Sequence, residues 1–350
     1  MLTRSSIVQS SAFPKCCSRR VEAGTGNALS LNRFAHFTTR VDDIGIHFVH
    51  ERGKGPNPYP LLLTHGYPDS FYRFAKIIPM LTDPASFGGR AEDSFDVVVA
   101  DLPGHGFSDR PPSLGTVFSV GGLWASLMTE RLGYTKFGAH GGDWGGTVTE
   151  QLARSHSDCV AAIHLTDVPF WHLLDKPDDL TSAEQKLFEH NEQWMQKEGA
   201  YALIQSTKPQ SLAQGLNDSP AGLAAWIVEK FRAWSDCGGN VESRFARDLL
   251  LTNLTIYWAT ETINSSTRVY YEERQSAPPA TPVPVPAGFA VFPNEFVPEG
   301  RPPRELAERT FDVRRWTEHP RGGHFAAMEE PAVLAEEIRA FFRPLRSARL

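Results

Sequence analysis

The sequence predicts an α/β fold: a mostly parallel sheet flanked by helices, with an inserted all-helical segment. Three observations predict it. Runs such as PLLLTHG (60–66) and FDVVVADLPGHG (95–106) carry the unbroken hydrophobicity of strands buried on both faces. Helical spacings alternate with such runs, and that alternation builds a parallel sheet. After Asp167 it stops, and only helical patterns occur until the Pro-rich SAPPATPVPVPAG (276–288).

In chain order, HFTTRVDDIGIHFVHERG (36–53) reads as a hairpin, with Ile44, Ile46 and Phe48 on one side of a strand and Asp42-Asp43 turning the chain. The 60–66 strand is followed by a helix over FYRFAKIIPML (71–81), then by the 95–106 strand. YTKFGAH (134–140) is a buried strand, GTVTEQLARSH (146–156) a helix through Val148, Leu152 and Ala153, and VAAIHLTD (160–167) one more strand. Helical signals then follow without a strand. Thr181 and Glu184 have capping-box spacing. Ser219 is an N-cap before Pro220, with Leu223, Ile227, Phe231 and Trp234 in one stripe, and a third helix over 244–263 carries Leu249, Leu250, Leu254 and Trp258. The 276–288 stretch is a semi-rigid return linker. FAVFP (289–293) and FDVRRWT (311–317) restore strands around the short helix PPRELAER (302–309), and EPAVLAEEIRAFF (330–342) closes with Leu334, Ile338 and Phe341 inward. The expected division is a non-core tail (1–30), a core (31–167), a helical lid (168–279) and the rest of the core (280–350).

The chain of 350 residues is long enough for one large α/β unit with an insertion. Its 35 basic and 41 acidic residues leave a net charge of −6, which argues against nucleic acid or an anionic membrane as the main partner. Cys16, Cys17, Cys159 and Cys237 have no CxxC spacing, and no apolar run reaches the roughly 18 residues of a membrane span. The expected location is cytoplasmic. The Ser/Arg-rich start, MLTRSSIVQSSAFPKCCSRR, resembles an organellar transit peptide but equally a floppy tail or an over-extended gene start.

HGGDWGG (140–146) raises the chemical question. It lies between a strand and a helix, so Gly141, Asp143 and Gly145 fit the G-x-nucleophile-x-G elbow of the α/β-hydrolase fold, with Asp where Ser is usual. A phosphate loop is excluded because no G-K-[ST] follows and Asp143 would repel phosphate at the helix start. A nucleophile, acid, His order then requires a histidine after the last strand. HPRGGHFAAMEEP (319–331) offers His324, before the final helix, and His319, which precedes Pro320 and reads as a solvated turn residue. Glu295, ending FAVFPNE, is the expected partner of His324, and Asp167, ending 160–167, is the rival acid. HGYPDS (65–70) aims the Tyr67 N–H toward the elbow, where with the Trp144 N–H it would form an oxyanion hole; Tyr67-Pro68 is a candidate cis bond. No metal spacing occurs, so no cofactor and no metal are expected.

A carboxylate displaces leaving groups from saturated carbon and forms an ester that imidazole-activated water can cleave. The substrate is therefore an epoxide or an alkyl halide. An opening epoxide needs O–H donors, and the insertion carries Tyr201, Tyr270 and Tyr271. A haloalkane dehalogenase-like hydrolase is the alternative, and would tolerate loss of those phenols. An inactive binding protein on the same fold is the third reading.

The motifs IQSTKPQSLAQGLNDSPAGLAAWIVEKF (204–231), LLTNLTIYW (250–258), SSTRVYYE (265–272) and PRGGHFAAMEEP (320–331) resemble the microsomal-type epoxide hydrolases from about Leu31 onward. The resemblance implies that Asp143 attacks the epoxide, that Tyr201 and Tyr270 bind and protonate its oxygen, and that Glu295 pairs His324. HGYP stands where that family commonly has HGWP, and Asp167 where it often has Asn. A longer helical segment usually precedes LNRF there, and the first 30 residues of this chain do not match it. Trp144, Phe170 and Trp171 suggest an apolar or aromatic epoxide as the small-molecule partner, with water; a homodimer is left open.

Overall fold

The computed structural model of the protein describes residues 3–4, 31–111, 119–174, 176–275, 281–295 and 297–347. Among these, nine strands form one sheet: β1 (Thr3–Arg4), β2 (His36–Val41), β3 (Ile44–Glu51), β4 (Tyr59–Thr64), β5 (Phe95–Ala100), β6 (Phe137–Gly141), β7 (Val160–Leu165), β8 (Val283–Val291) and β9 (Phe311–Glu318). Their order is β1-β2-β3-β5-β4-β6-β7-β8-β9. The first three strands and the β3–β5 pairing are antiparallel, and every pairing from β5 to β9 is parallel. The hairpin turn is made by Asp42 and Asp43, both at positive φ (47° and 62°), a geometry Asp tolerates in two-residue hairpins. All of β5 is buried, as its unbroken hydrophobicity requires.

Helices cover both faces. On one side α1 (Ile78–Thr82) and the terminal helix pack Phe71, Phe74, Ile78, Leu334, Ile338 and Phe341. On the other, α2 (Val120–Ser126) and α3 (Trp144–Ser155) pack Trp124, Val148 and Leu152. Each of these buried side chains contributes about 1.5–3 kcal/mol of transfer free energy. Between β7 and β8 the described chain is helical: α4 (Ser182–Lys197), α5 (Ala200–Thr207), α6 (Pro209–Asp218), α7 (Pro220–Trp234), α8 (Arg247–Thr260) and α9 (Ile263–Glu273). The capping box of Thr181 with Glu184 starts α4, and the Ser219 side chain caps α7 ahead of Pro220. A third apolar cluster, with Tyr67, Ile227, Phe231, Trp234, Phe245, Tyr257 and Phe325, joins these helices to the loops at the carboxyl ends of the strands. The chain closes with α10 (Arg304–Glu308), α11 (Ala326–Glu329) and α12 (Pro331–Phe342).

Four expectations need correction. The helix over 71–81 is broken into a 3-10 turn (Phe71–Phe74) and α1, because Pro79 has no N–H and its ring clashes with the carbonyl four residues back, so it is accommodated at the start of α1. The return linker is shorter than 276–288, since β8 begins at Val283 with Pro284 and Pro286 inside it. β7 joins β8 only from Ala287, so those prolines sit where the strand has β9 alone as neighbour and fewer donors are needed. On α8 the inward face is Leu250, Asn253, Ile256 and Tyr257, while Trp258 is 39% exposed. Within the supposed non-core tail, Thr3 and Arg4 pair with Thr38 and Phe37 at the sheet edge; the remainder of 1–30 lies outside the described residues.

Candidate active site

The elbow is built by β6 running straight into α3. Asp143 has φ 58° and ψ −134°, a conformation that costs roughly 1–3 kcal/mol for a residue with a Cβ. Glycine is required beside it: a Cβ on Gly141 would sit 2.1 Å from the Gly145 carbonyl, and one on Gly145 would sit 2.1 Å from that of Thr64. The strain holds the carboxylate over the sheet edge. Its Oδ1 accepts hydrogen bonds from Tyr67 N and Trp144 N, each 2.7 Å long, and its Oδ2 lies 3.3 Å from His324 Nε2. The two N–H groups expected to form an oxyanion hole thus converge on an oxygen of Asp143 itself.

His324 is carried by the loop between β9 and α11 and is buried. Its Nδ1 is 3.1 Å from both oxygens of Glu295, and its backbone N–H donates to the Trp234 carbonyl. Glu295 follows β8 in a turn and also accepts from Val297 N. Asp167 takes another position. Its Oδ2 accepts the Asp143 N–H at 2.6 Å, behind the elbow, so among the described residues the acid hydrogen-bonded to His324 is Glu295. His319 is packed flat on Phe292 and stands 3.8 Å from Glu337, so it is a packing residue rather than a solvated one.

Charge follows this geometry. Burial opposes ionisation of Asp143, but the hydrogen bond and charge of His324, the charge of Arg73 and the Trp144 N–H outweigh it and hold the carboxyl below its usual range. For His324 burial favours the neutral ring, yet Glu295 and Asp143 together raise it well above an ordinary histidine. Each group thus favours the charged form of the other. Burial pushes Tyr270 well above an ordinary phenol, reinforced by Tyr201, Asp143 and Tyr67, so it stays protonated and able to donate.

The phenols come from the insertion. Tyr270, on α9, meets the rings of Trp144, Tyr67 and Tyr201 at 4.9, 5.4 and 6.0 Å between centroids. Tyr201, on α5, also meets Trp234 at 5.2 Å. Tyr271 points outward and is exposed. The Tyr67–Pro68 bond is cis, and α8 holds that loop through Asn253 Nδ2 to the Pro68 carbonyl and Tyr257 OH to the Asp69 carbonyl. Trp171 donates to Glu150 on α3 and stacks on His172, so its engagement is with that helix.

Sequence reasoning missed three contributors. Trp226 donates to Tyr67 OH at 2.7 Å, which gives the Tyr of HGYP a polar anchor. Trp234 packs on His324 at 5.0 Å. Arg73, buried and paired with Asp69, adds positive charge near Asp143 and Asp167. The first two lie in the 226, 230, 234 row of α7, which shares Trp234 with the apolar stripe read from the sequence; the i, i+4, i+8 spacing was the available signal.

Sheet order, elbow after β6, carboxylate after β8 and histidine after β9 together define an α/β-hydrolase. Residues 59–213 match the model of the alpha/beta hydrolase fold, and residues 27–74 match that of the epoxide hydrolase N terminus. A Stigmatella aurantiaca (strain DW4/3-1) protein provisionally named an epoxide hydrolase is 43% identical over 331 residues, 94% of this chain and 73% of that one. Epoxide hydrolase 1 of Sus scrofa is 36% identical over 341 residues, 89% of this chain and 74% of the pig protein. The structure is similar to that of an enantioselective epoxide hydrolase mutant from Aspergillus niger (TM-score 0.77, 29% identity, 91% of this chain and 80% of the other). It is also similar to the juvenile hormone epoxide hydrolase of the silkworm Bombyx mori (TM-score 0.75, 28% identity, 93% and 80%). The chain belongs to the microsomal-type epoxide hydrolases, and its reaction is the hydrolysis of an epoxide. Among the described residues no helix is long and apolar enough to cross a membrane.

Asp167 makes a stability prediction. Burial, with the charges of Glu295 and Asp143, pushes its carboxyl from 3.8 up to about 7 against the opposing Asp143 N–H and His324. The folded state therefore keeps a proton that the unfolded chain releases, so this group's contribution to stability falls as pH rises between about 4 and 7 and is lowest above that window. Asp167→Asn keeps an acceptor for the Asp143 N–H without the titration. Its gain over the parent is expected to grow across the window to about 1–4 kcal/mol and then level off. Denaturant titrations at several pH values check this, and a pH-independent difference would contradict it.

Proposed function

We propose that the epoxide is opened by Asp143 through a covalent ester, and that the ester is cleared by water activated by His324 and Glu295. The observation that carries this is the division of labour within one carboxylate: Oδ1 is held by two backbone N–H groups, and Oδ2 lies beside His324 Nε2. Oδ2 attacks a ring carbon, the C–O bond breaks, and its electron pair goes to the epoxide oxygen. Tyr201 or Tyr270 supplies the proton that oxygen takes. The ester has lost the Asp143 charge, one of the two anions that raise His324, and the His324 proton passes to the tyrosinate, which restores the phenol and leaves a neutral imidazole. Neutral His324, with Glu295 on its Nδ1, then takes a proton from water as hydroxide adds to Cγ of Asp143. Negative charge develops on Oδ1, where Tyr67 N and Trp144 N already point. Collapse breaks the Cγ–Oδ2 bond, the leaving oxygen takes the proton of the newly added hydroxyl, and the diol departs with Asp143 again a carboxylate beside protonated His324.

The helices of residues 168–279 act as a lid that carries the phenols over this carboxylate. Tyr67, Trp144, Tyr201, Trp234 and Tyr270 surround the reacting groups with rings, which favours an apolar or aromatic epoxide. The test is isotopic. With enzyme in excess over a styrene-type epoxide in heavy-oxygen water, the first diol is expected to carry no label while Asp143 gains it. A labelled diol in that single turnover would mean direct attack by water.

A further inference from the structure

Lys230 is only 8% exposed, although lysine is rarely buried without a partner. It lies on α7, one turn from Trp226 and one turn from Trp234. Its Nζ stands 4.6 Å from the centroid of the Tyr201 ring and 5.8 Å from those of Trp226 and Trp234, and 2.5 Å from Glu229 Oε2 at the surface. The same row of α7 touches the reacting groups twice more, through Trp226 on the Tyr67 hydroxyl and Trp234 on the His324 ring. The ammonium is thus held against the face of one of the two phenols that the opening epoxide needs.

We propose that Lys230 is a positioning and tuning residue for ring opening: its ammonium, held on the π-face of Tyr201, makes that phenol a stronger acid toward the departing epoxide oxygen. The proposal rests on the reading of Tyr201 as an oxygen donor. An aromatic face carries partial negative charge, and that charge grows as the phenolic proton moves toward the substrate. Attraction to the ammonium therefore strengthens in the transition state, which is the condition for a contact to accelerate a step. Glu229, half exposed, pairs with the ammonium from the solvent side. Ester cleavage does not use Tyr201, so the effect is confined to the first half-reaction.

The experiment measures ester formation and ester hydrolysis separately by single-turnover kinetics in the parent, Lys230→Met, Lys230→Arg, Tyr201→Phe and the Tyr201→Phe/Lys230→Met double variant. Lys230→Met is expected to slow ester formation about tenfold and leave ester hydrolysis within about twofold. Lys230→Arg, which retains the cation, should recover most of the loss. In the Tyr201→Phe background Lys230→Met should change ester formation less than about twofold. An equal loss in both backgrounds, or equal slowing of both half-reactions, would make Lys230 a packing residue and overturn the proposal. If Tyr201→Phe alone is as fast as the parent, the reading of Tyr201 is what fails, and the proposal falls with it. If the Lys230→Met chain does not fold, Lys230→Gln takes its place as the uncharged variant, alone and with Tyr201→Phe, and the same outcomes decide.

Discussion

His324→Gln is expected to halt turnover while leaving a burst: each enzyme molecule opens one epoxide, and intact-protein mass spectrometry finds the chain heavier by one substrate. The reason is the asymmetry of the site. Attack by Asp143 needs its carboxylate, which Tyr67 N and Trp144 N hold and which the charge of Arg73 still helps keep ionised without the imidazole, and the phenols of Tyr201 and Tyr270. Cleavage of the ester needs a base beside Cγ, and His324 Nε2 is the titratable nitrogen in ion-pair distance of Asp143. Loss of that base should lower kcat by about 10³-fold or more, the scale seen when a member of a catalytic unit is removed. An inert variant with no mass increase would place His324 in the first step and contradict the assignment of roles.

Asp143→Ala should remove activity outright, by about 10⁴-fold or more in kcat/KM, and no adduct should form under any condition. Two further consequences distinguish loss of a nucleophile from general damage. The imidazolium of His324 loses one of the two carboxylates that raise it, so its titration, followed by NMR, should move down toward the ordinary histidine value. The N–H groups of Tyr67 and Trp144 lose their acceptor and become free for a small anion or water. Stability should change modestly, because the lost hydrogen bonds are offset by removal of a buried charge. Residual turnover above about one per cent of the parent would show that water reaches the epoxide without the ester.

Much of this site was legible in the residues because local chemistry writes itself into short spacing. Gly141 and Gly145 mark a turn no Cβ could enter, and an Asp between them on a strand-to-helix bend has few structural reasons to be there. His324 after the last strand follows from the order in which the fold delivers its groups. Glu295 and Asp167 could not be separated in that way. Both end strands, and which one meets the imidazole depends on a turn after β8 and on Asp167 being engaged by the Asp143 N–H, contacts between segments 24 to 29 residues apart in the chain. Trp258 against Tyr257 failed for a related reason. A helical pattern rich in large apolar residues all round does not say which face meets the sheet edge.

The sequence by itself determined the alternation of strand and helix, the elbow, the helical insertion and the candidate reactive side chains, because periodicity, glycine sterics and capping act within a few residues. Tertiary structure alone decided which oxygen of Asp143 is held by N–H groups and which meets His324, which acid stands behind His324, and that α7 lays Trp226, Lys230 and Trp234 against three groups of the site. Those outcomes depend on how segments from Tyr67 to His324 pack together, and such distances are fixed by the summed burial of many side chains, which no short stretch encodes.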